Sequence, residues 1–178
     1  VSDTFKDASK AVVKSHSEVD FDLDGNPKFS RTKDFYKAGA KKGQVKDYSE
    51  SDFGVCDVNN PESGVCFEDG DIVSGVLQTT TWKNDAKLVK RSLSRVSFGV
   101  ESNPTFAKTW NYKPSGVLKN YSESDFAAVV YDGQDIAGGT LKTDTWKDDT
   151  KAQLKTAVEM DFYSAADGND AAGNNRTG

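Results

Sequence analysis

The chain has 178 residues, of which 35% are hydrophobic and 29% are charged, and its formal net charge is −5. This length fits one ordinary domain or two small ones. The acidic balance and the lack of a long Lys/Arg run exclude nucleic acid as an expected partner, and no stretch approaches the roughly 20 apolar residues that span a bilayer, so membrane insertion is not expected either.

Internal repetition is the main feature of the sequence. The hexapeptide YSESDF occurs at Tyr48–Phe53 and at Tyr121–Phe126, and "DIVSGVLQTTTWKND" from Asp71 matches "DIAGGTLKTDTWKDD" from Asp135. Three blocks of equal length also align without gaps, beginning at Thr4, Thr81 and Thr145. These matches predict repeat 1 over residues 4–80, repeat 2 over 81–144, a partial third repeat over 145–162 and a flexible tail over 163–178.

The block that occurs three times has the spacing of an amphipathic helix. In its second copy, apolar residues recur three or four positions apart, at Trp82, Ala86, Val89, Leu93 and Val96. A threonine opens each block and a polar residue follows three positions later, as at Thr81 and Asn84, which is typical of a helix start. We therefore expect three helices, of which the last closes the second repeat.

The stretches after YSESDF have the pattern of β-hairpins. Apolar residues are followed by "EDGD" at 68–71 or by "DGQD" at 132–135, and Asp-Gly between such runs is a strong hairpin signal. The predicted fold class is α+β, with two related lobes of antiparallel strands, each packed by an amphipathic helix, and a third helix from the partial repeat.

Both cysteines lie in an insertion, residues 54–66, that has no counterpart in the second repeat. The spacing of Cys56 and Cys66 and the turn-rich residues between them favour a disulfide, which implies an oxidising compartment. Free thiols, or a pigment held covalently by Cys56 or Cys66, are the alternatives. As the one asymmetric feature, this loop is the expected partner contact, through Asp57, Asn59, Asn60 and Glu62.

Two sets of acidic residues are candidate cation ligands. Asp20, Asp22 and Asp24 alternate before Gly25 like the start of a calcium loop, but Arg31 stands where an EF-hand needs a bidentate glutamate. The second set recurs in both copies of YSESDF and could bind a cation or act as general acid and base: Glu50, Asp52, Glu123 and Asp125. A solvated strand face is the alternative explanation for both sets. No cofactor is expected, and the alternatives are a calcium ion at these acids or a pigment on Cys56 or Cys66.

The sequence contains no catalytic constellation. His16 is the single histidine, and no nucleophile-elbow, Walker or GxGxxG sequence is present. We therefore expect a non-catalytic structural or interaction protein of an extracellular, periplasmic or lumenal compartment, associated with other proteins in a larger assembly. The alternatives are a ligand-binding module for calcium, a glycan or a covalently held pigment, and a carboxylate-based hydrolase.

Overall fold

The computed structural model describes residues 1–6 and 12–162, which form a single antiparallel sheet of eleven strands. The strands are β1 (Ser2–Phe5), β2 (Val13–Phe21), β3 (Pro27–Phe35), β4 (Val45–Asp52), β5 (Val65–Glu68), β6 (Asp71–Trp82), β7 (Lys90–Phe98), β8 (Pro104–Tyr112), β9 (Leu118–Asp132), β10 (Asp135–Trp146) and β11 (Leu154–Phe162). The predicted flexible tail, residues 163–178, lies outside the described residues.

The strands follow each other across the sheet in chain order, with one exception. The path is β1-β2-β3-β4-β6-β7-β8-β9-β10-β11, and β5 pairs with β6 beyond the end of β4. Strands β4 and β5 together therefore occupy, against β6, the place that the long strand β9 occupies against β10. The insertion at residues 54–66 contains the break between β4 and β5.

The described chain forms one layer. Extensive contacts join sheet neighbours, or join β6 to the two short 3₁₀ turns at Pro61–Ser63 and Val100–Ser102. No side chain in this part of the chain is less than 2% exposed, and the buried hydrophobic residues are few. They are Tyr48, Val65, Cys66, Val76, Tyr121 and Val129. No second layer among the described residues covers either face of the sheet.

The predicted α+β fold and its three amphipathic helices are wrong. Residues 1–6 and 12–162 contain no α-helix, and none of their helical turns is long and apolar enough to cross a membrane. In the block from Thr81, β6 ends at Trp82, a turn follows with Lys87 at φ 56°, and β7 begins at Lys90. The block from Thr145, predicted to be the closing helix, forms the β10–β11 hairpin in the same way.

The helical spacing in the block from Thr81 gave a wrong prediction because it combined residues from the end of β6, the turn and β7. Within β7, Ser92 and Ser94 lie on one face while Leu93 and Arg95 lie on the other, the period of two that a strand requires. The hairpin predicted at "EDGD" is confirmed: Asp69 and Gly70 both have positive φ, 51° and 89°, as a type I′ turn needs.

Candidate functional site

One face of the sheet carries a cluster built around Tyr48, which is only 5% exposed. The Tyr48 hydroxyl donates a hydrogen bond of 2.7 Å to Glu50 Oε1, and the Lys87 ammonium lies 2.5 Å from the same oxygen. Lys87 Nζ also lies 5.3 Å from the Trp82 ring centroid, and the Tyr48 and Trp82 rings are 5.9 Å apart. Lys87 belongs to the β6–β7 turn, so this cluster holds the turn against the sheet.

The second copy of YSESDF builds the same cluster. Tyr121 is 3% exposed and its hydroxyl donates to Glu123 Oε1 at 2.6 Å, and Lys151 pairs with that oxygen at 2.7 Å. Lys151 Nζ lies 5.2 Å from the Trp146 ring. Tyr121 contacts Trp146 at 5.9 Å on one side and Trp110 at 5.1 Å on the other. We call the face that carries these two clusters the aromatic face.

The clusters perturb the ionisation of their own members. Burial and the hydrogen bond to Glu50 raise the pKa of Tyr48 to about 12. Burial alone would raise the pKa of Glu50, but the hydrogen bonds from Lys87 and Tyr48 outweigh it and lower the pKa of Glu50. The pKa of Tyr121 is raised and that of Glu123 is lowered for the same reasons. Each glutamate is thus held as a carboxylate whose partners are protein groups.

The opposite face carries rows of hydroxyl side chains, and we call it the hydroxyl face. One row runs directly across the sheet from β3 to β11, and each of these strands along the path contributes one serine or threonine. Its members are Ser30, Ser51, Thr79, Ser94, Thr109, Ser122, Thr145 and Thr156. Neighbouring strands lie roughly 4.8 Å apart, so the hydroxyl groups recur at that spacing.

A second row runs beside the first and is two residues away from it on each strand that both rows cross. It begins at β1 and ends in two asparagines on β8 and β9. Its members are Ser2, Ser17, Thr32, Ser49, Thr81, Ser92, Asn111 and Asn120. Several cross-strand pairs within the rows are hydrogen-bonded, for example Ser51 with Thr79 at 2.8 Å and Ser122 with Thr145 at 2.9 Å. Such pairs stabilise a sheet, and each leaves donor and acceptor capacity free for a partner.

Sequence reasoning missed the hydroxyl face, although a signal was present. Hydroxyl residues two apart occur in "SES" of both copies, in "SLS" at 92–94 and in "TDT" at 143–145. Since alternate residues of a strand share a face, this spacing marks one face once the segments are recognised as strands. The helix prediction for the block from Thr81 concealed it there.

The structure does not gather the first acidic set into a cation site. Asp20 pairs with Arg31 at 3.0 Å, and Asp22 Oδ1 accepts the backbone N–H groups of Asp24 and Asn26. Within the described ranges, no group of three or more His, Cys, Asp and Glu side chains could hold a metal ion.

The second acidic set is divided between two kinds of contact. Glu50 and Glu123 belong to the aromatic clusters described above. Asp52 Oδ1 accepts the backbone N–H of Gly54, and Asp125 Oδ1 accepts that of Ala127, each at 2.9 Å. These acids therefore shape the strand and its clusters, and the two copies use them alike.

The insertion is closed by a Cys56–Cys66 disulfide, as the sequence predicts. Its turn is held internally, since Asp57 Oδ1 accepts the Asn59 N–H at 2.9 Å and Asn60 N–H donates to the Asp57 carbonyl at 2.9 Å. Glu62 pairs with Arg95 of β7 at 2.7 Å. The predicted contact residues thus lie on an exposed loop tied to the aromatic face.

His16 lies on β2 between two acids. Its Nδ1 is 2.6 Å from Asp3 and its Nε2 is 3.3 Å from Glu18, and these hydrogen bonds raise the pKa of His16. The residue ties β1 to β2, and it has no neighbouring nucleophile among these partners.

Comparison with protein-family models, with curated proteins and with solved structures finds no match for this chain.

Proposed function

We propose that this chain is a non-catalytic structural or interaction protein of an extracellular or other oxidising compartment, and that it works within a larger assembly. The observation that carries this proposal is the single-layer sheet with a continuous hydroxyl face. An open sheet face with regularly spaced donors and acceptors suits binding to another extended surface rather than to a small molecule, since small-molecule sites are concave.

Two further observations support the proposal. The Cys56–Cys66 disulfide is compatible with an oxidising compartment. Six of the seven acids that reasoning from sequence offered as catalytic or cation ligands, all except Asp24, have carboxylates engaged with neighbours of the same chain, as Glu50 is with Tyr48 and Lys87. The groups that remain available to a partner are therefore those of the hydroxyl face.

The test is a mass measurement on the native protein with two matched variants. The chain is extracted from its source without reductant, and we expect it to migrate well above the mass of one chain. Thr79→Glu places a charge on the hydroxyl face, and Gln78→Glu places the same charge one residue away on the aromatic face. Thr79→Glu should lose incorporation into the assembly, while Gln78→Glu should keep it.

Three results would count against the proposal. A chain that migrates alone has no assembly. Equal incorporation of the two variants would show that the hydroxyl face makes no contact. Cysteines that react with a thiol reagent in intact source cells before any reduction would place the protein in a reducing compartment.

A further inference from the structure

Strand β11 forms an open edge of the sheet. It pairs with β10 on one side, and no strand of the described chain pairs with its other side. The strand is nine residues long, and Leu154, Val158 and Met160 are 54%, 52% and 52% exposed. A long edge with exposed apolar side chains presents unpaired backbone groups that can accept a further strand.

The sequence of β11 is complementary to itself when it runs in the opposite direction. Counted outward from Ala157, Lys155 and Glu159 stand at equal distances, and so do Leu154 and Met160. We propose that β11 is a homodimer edge, at which two copies of the chain pair their β11 strands antiparallel about Ala157. This proposal deepens the proposed function and rests on it, because it names one contact of the assembly.

In this register each copy supplies one residue to every pair. Lys155 lies opposite Glu159 of the second copy and Leu154 lies opposite Met160 of the second copy, and the two-fold axis repeats both pairs. Opposite charges and apolar side chains facing each other across antiparallel strands stabilise a sheet, while like charges destabilise it. The same patch meets itself, as a two-fold dimer requires.

The contacts that these charges make within one chain are weak enough to be exchanged. Lys155 Nζ donates to the Lys119 carbonyl at 3.3 Å, and Glu159 pairs with Lys142 at 3.1 Å. The side chains of Glu159 and Lys142 are 65% and 56% exposed, and surface pairs of this kind contribute little to stability. Both charged groups are therefore free to turn towards a second copy.

The open segment of β2 at the opposite end of the sheet does not fit a second copy. Strand β1 covers β2 only as far as Ser17, which leaves residues 18–21 without an outer neighbour among the described strands. The charged residues of that segment are Glu18 and Asp20. Pairing two such segments would bring like charges together, which is unfavourable. Of these two open segments, only β11 is complementary to itself.

The dimer would enlarge the hydroxyl face. The two-fold axis of the proposed pair stands perpendicular to the sheet, so the same faces of both copies point the same way. Thr156, the last member of the first hydroxyl row, lies opposite Val158 of the second copy. Beyond that residue stand Thr143 and Ser124 of the second copy, which continue the face.

Sedimentation equilibrium of the purified chain tests the pairing. We expect a reversible dimer, and Glu159→Lys should weaken it about tenfold, because two Lys-Lys contacts then replace two Lys-Glu contacts. Asp161→Lys makes the same charge change two residues away, opposite Gln153 of the second copy, and should leave the dimer constant unchanged. The double variant Lys155→Glu/Glu159→Lys restores the complementarity and should restore the dimer. Far-ultraviolet circular dichroism checks that each variant is folded.

Each contrary result has a definite meaning. A monomeric wild-type chain overturns the homodimer, and so does a dimer that Glu159→Lys leaves intact. A dimer that Asp161→Lys weakens instead has a different register. If Glu159→Lys fails to fold, the double variant decides, since it must dimerise. These outcomes concern the pure chain, so a failure here leaves the native assembly measurement of the proposed function standing, and the reverse also holds.

Discussion

Removing one hydroxyl group from each aromatic cluster provides a quantitative test of what stabilises this single-layer sheet. Tyr48→Phe and Tyr121→Phe keep the rings in place and delete the hydrogen bonds to Glu50 and Glu123, which are 2.7 and 2.6 Å long. A hydrogen bond to a charged group contributes roughly 1.5–3 kcal/mol. We therefore expect each variant to lose about 2 kcal/mol of unfolding free energy.

The two losses should add. Tyr48 lies on β4 and Tyr121 on β9, and β6, β7 and β8 separate these strands in the sheet. Four strand spacings of roughly 4.8 Å place the clusters about 19 Å apart, beyond the distance at which substitutions usually couple. The double variant should thus lose about 4 kcal/mol.

Urea unfolding followed by tryptophan fluorescence measures these losses, because Trp82 and Trp146 contact the two tyrosines. The matched control is Tyr112→Phe, since the Tyr112 ring lies near Lys90 but its hydroxyl makes no hydrogen bond within the described part of the chain. Losses no larger than that of the control would refute the role of the hydroxyl–carboxylate bonds. A double loss far from the sum would show that the clusters do not act independently.

Three further predictions concern the two glutamates, Gly75 and the disulfide. The pKa values of Glu50 and Glu123 are lowered in the folded protein, so the stability that they contribute is present above about pH 4.3 and is lost as pH falls through their folded pKa values. The double variant Glu50→Gln/Glu123→Gln should therefore show a smaller fall of the urea midpoint at acidic pH. Gly75 has φ +106° and an added Cβ would lie 2.0 Å from a carbonyl oxygen, so Gly75→Ala should cost about 3 kcal/mol or more, whereas Gly116→Ala, with φ +82° and open space, should cost about 1 kcal/mol in the same assay. Reduction of the disulfide, whose cysteines are 10 residues apart, should lower the unfolding free energy by about 3 kcal/mol, and an unchanged urea midpoint would contradict the chain-entropy argument.

Local signals predicted the Asp-Gly hairpin turn and the disulfide but not the fold class. The turn at Asp69 and Gly70 was predictable because a two-residue turn with positive φ depends on those two residues alone. The Cys56–Cys66 bond was readable from spacing and from the turn-rich loop. Both features depend on neighbours in sequence, which is the range over which single-sequence reasoning is reliable.

The prediction of the fold class was wrong because the helical period was read over a stretch of sequence that contains a β-hairpin. The spacing of Trp82, Leu93 and Val96 in the sequence fits one face of a helix. In the structure, Trp82 and Leu93 lie on the aromatic face, on β6 and β7, and Val96 lies on the hydroxyl face. The turn between them requires positive φ at Lys87, an uncommon conformation for lysine that propensity does not indicate. Lys87 contacts Glu50 and Tyr48 of β4, which are remote in sequence, so tertiary contacts stabilise this turn.

The break between β4 and β5 shows why an insertion is tolerated at that point of the sheet. In both copies an aspartate at the end of YSESDF, Asp52 or Asp125, accepts a backbone N–H two residues later, and the ladder is already irregular there. In repeat 2, strand β9 continues directly and buries Val129 against Gly139. In the first copy the disulfide-closed loop intervenes, and Val65 is then buried against Gly75 in the same manner.

A glycine is needed opposite each of these valines because the backbone passes so close. At Gly139, where φ is +89°, a Cβ would lie 2.0 Å from the carbonyl oxygen of Ala128 on the facing strand. At Gly75 a Cβ would lie 2.0 Å from the carbonyl oxygen of Gly64, directly before β5. This close approach at Gly75 and at Gly139 therefore fixes the strand register beyond the irregular part of the ladder. Residues added between Asp52 and Val65 then leave the strand register unchanged. Since the loop adds no strand to the path and the sheet keeps its order without it in the second copy, the insertion can vary in shape and contacts while the hydroxyl rows stay aligned.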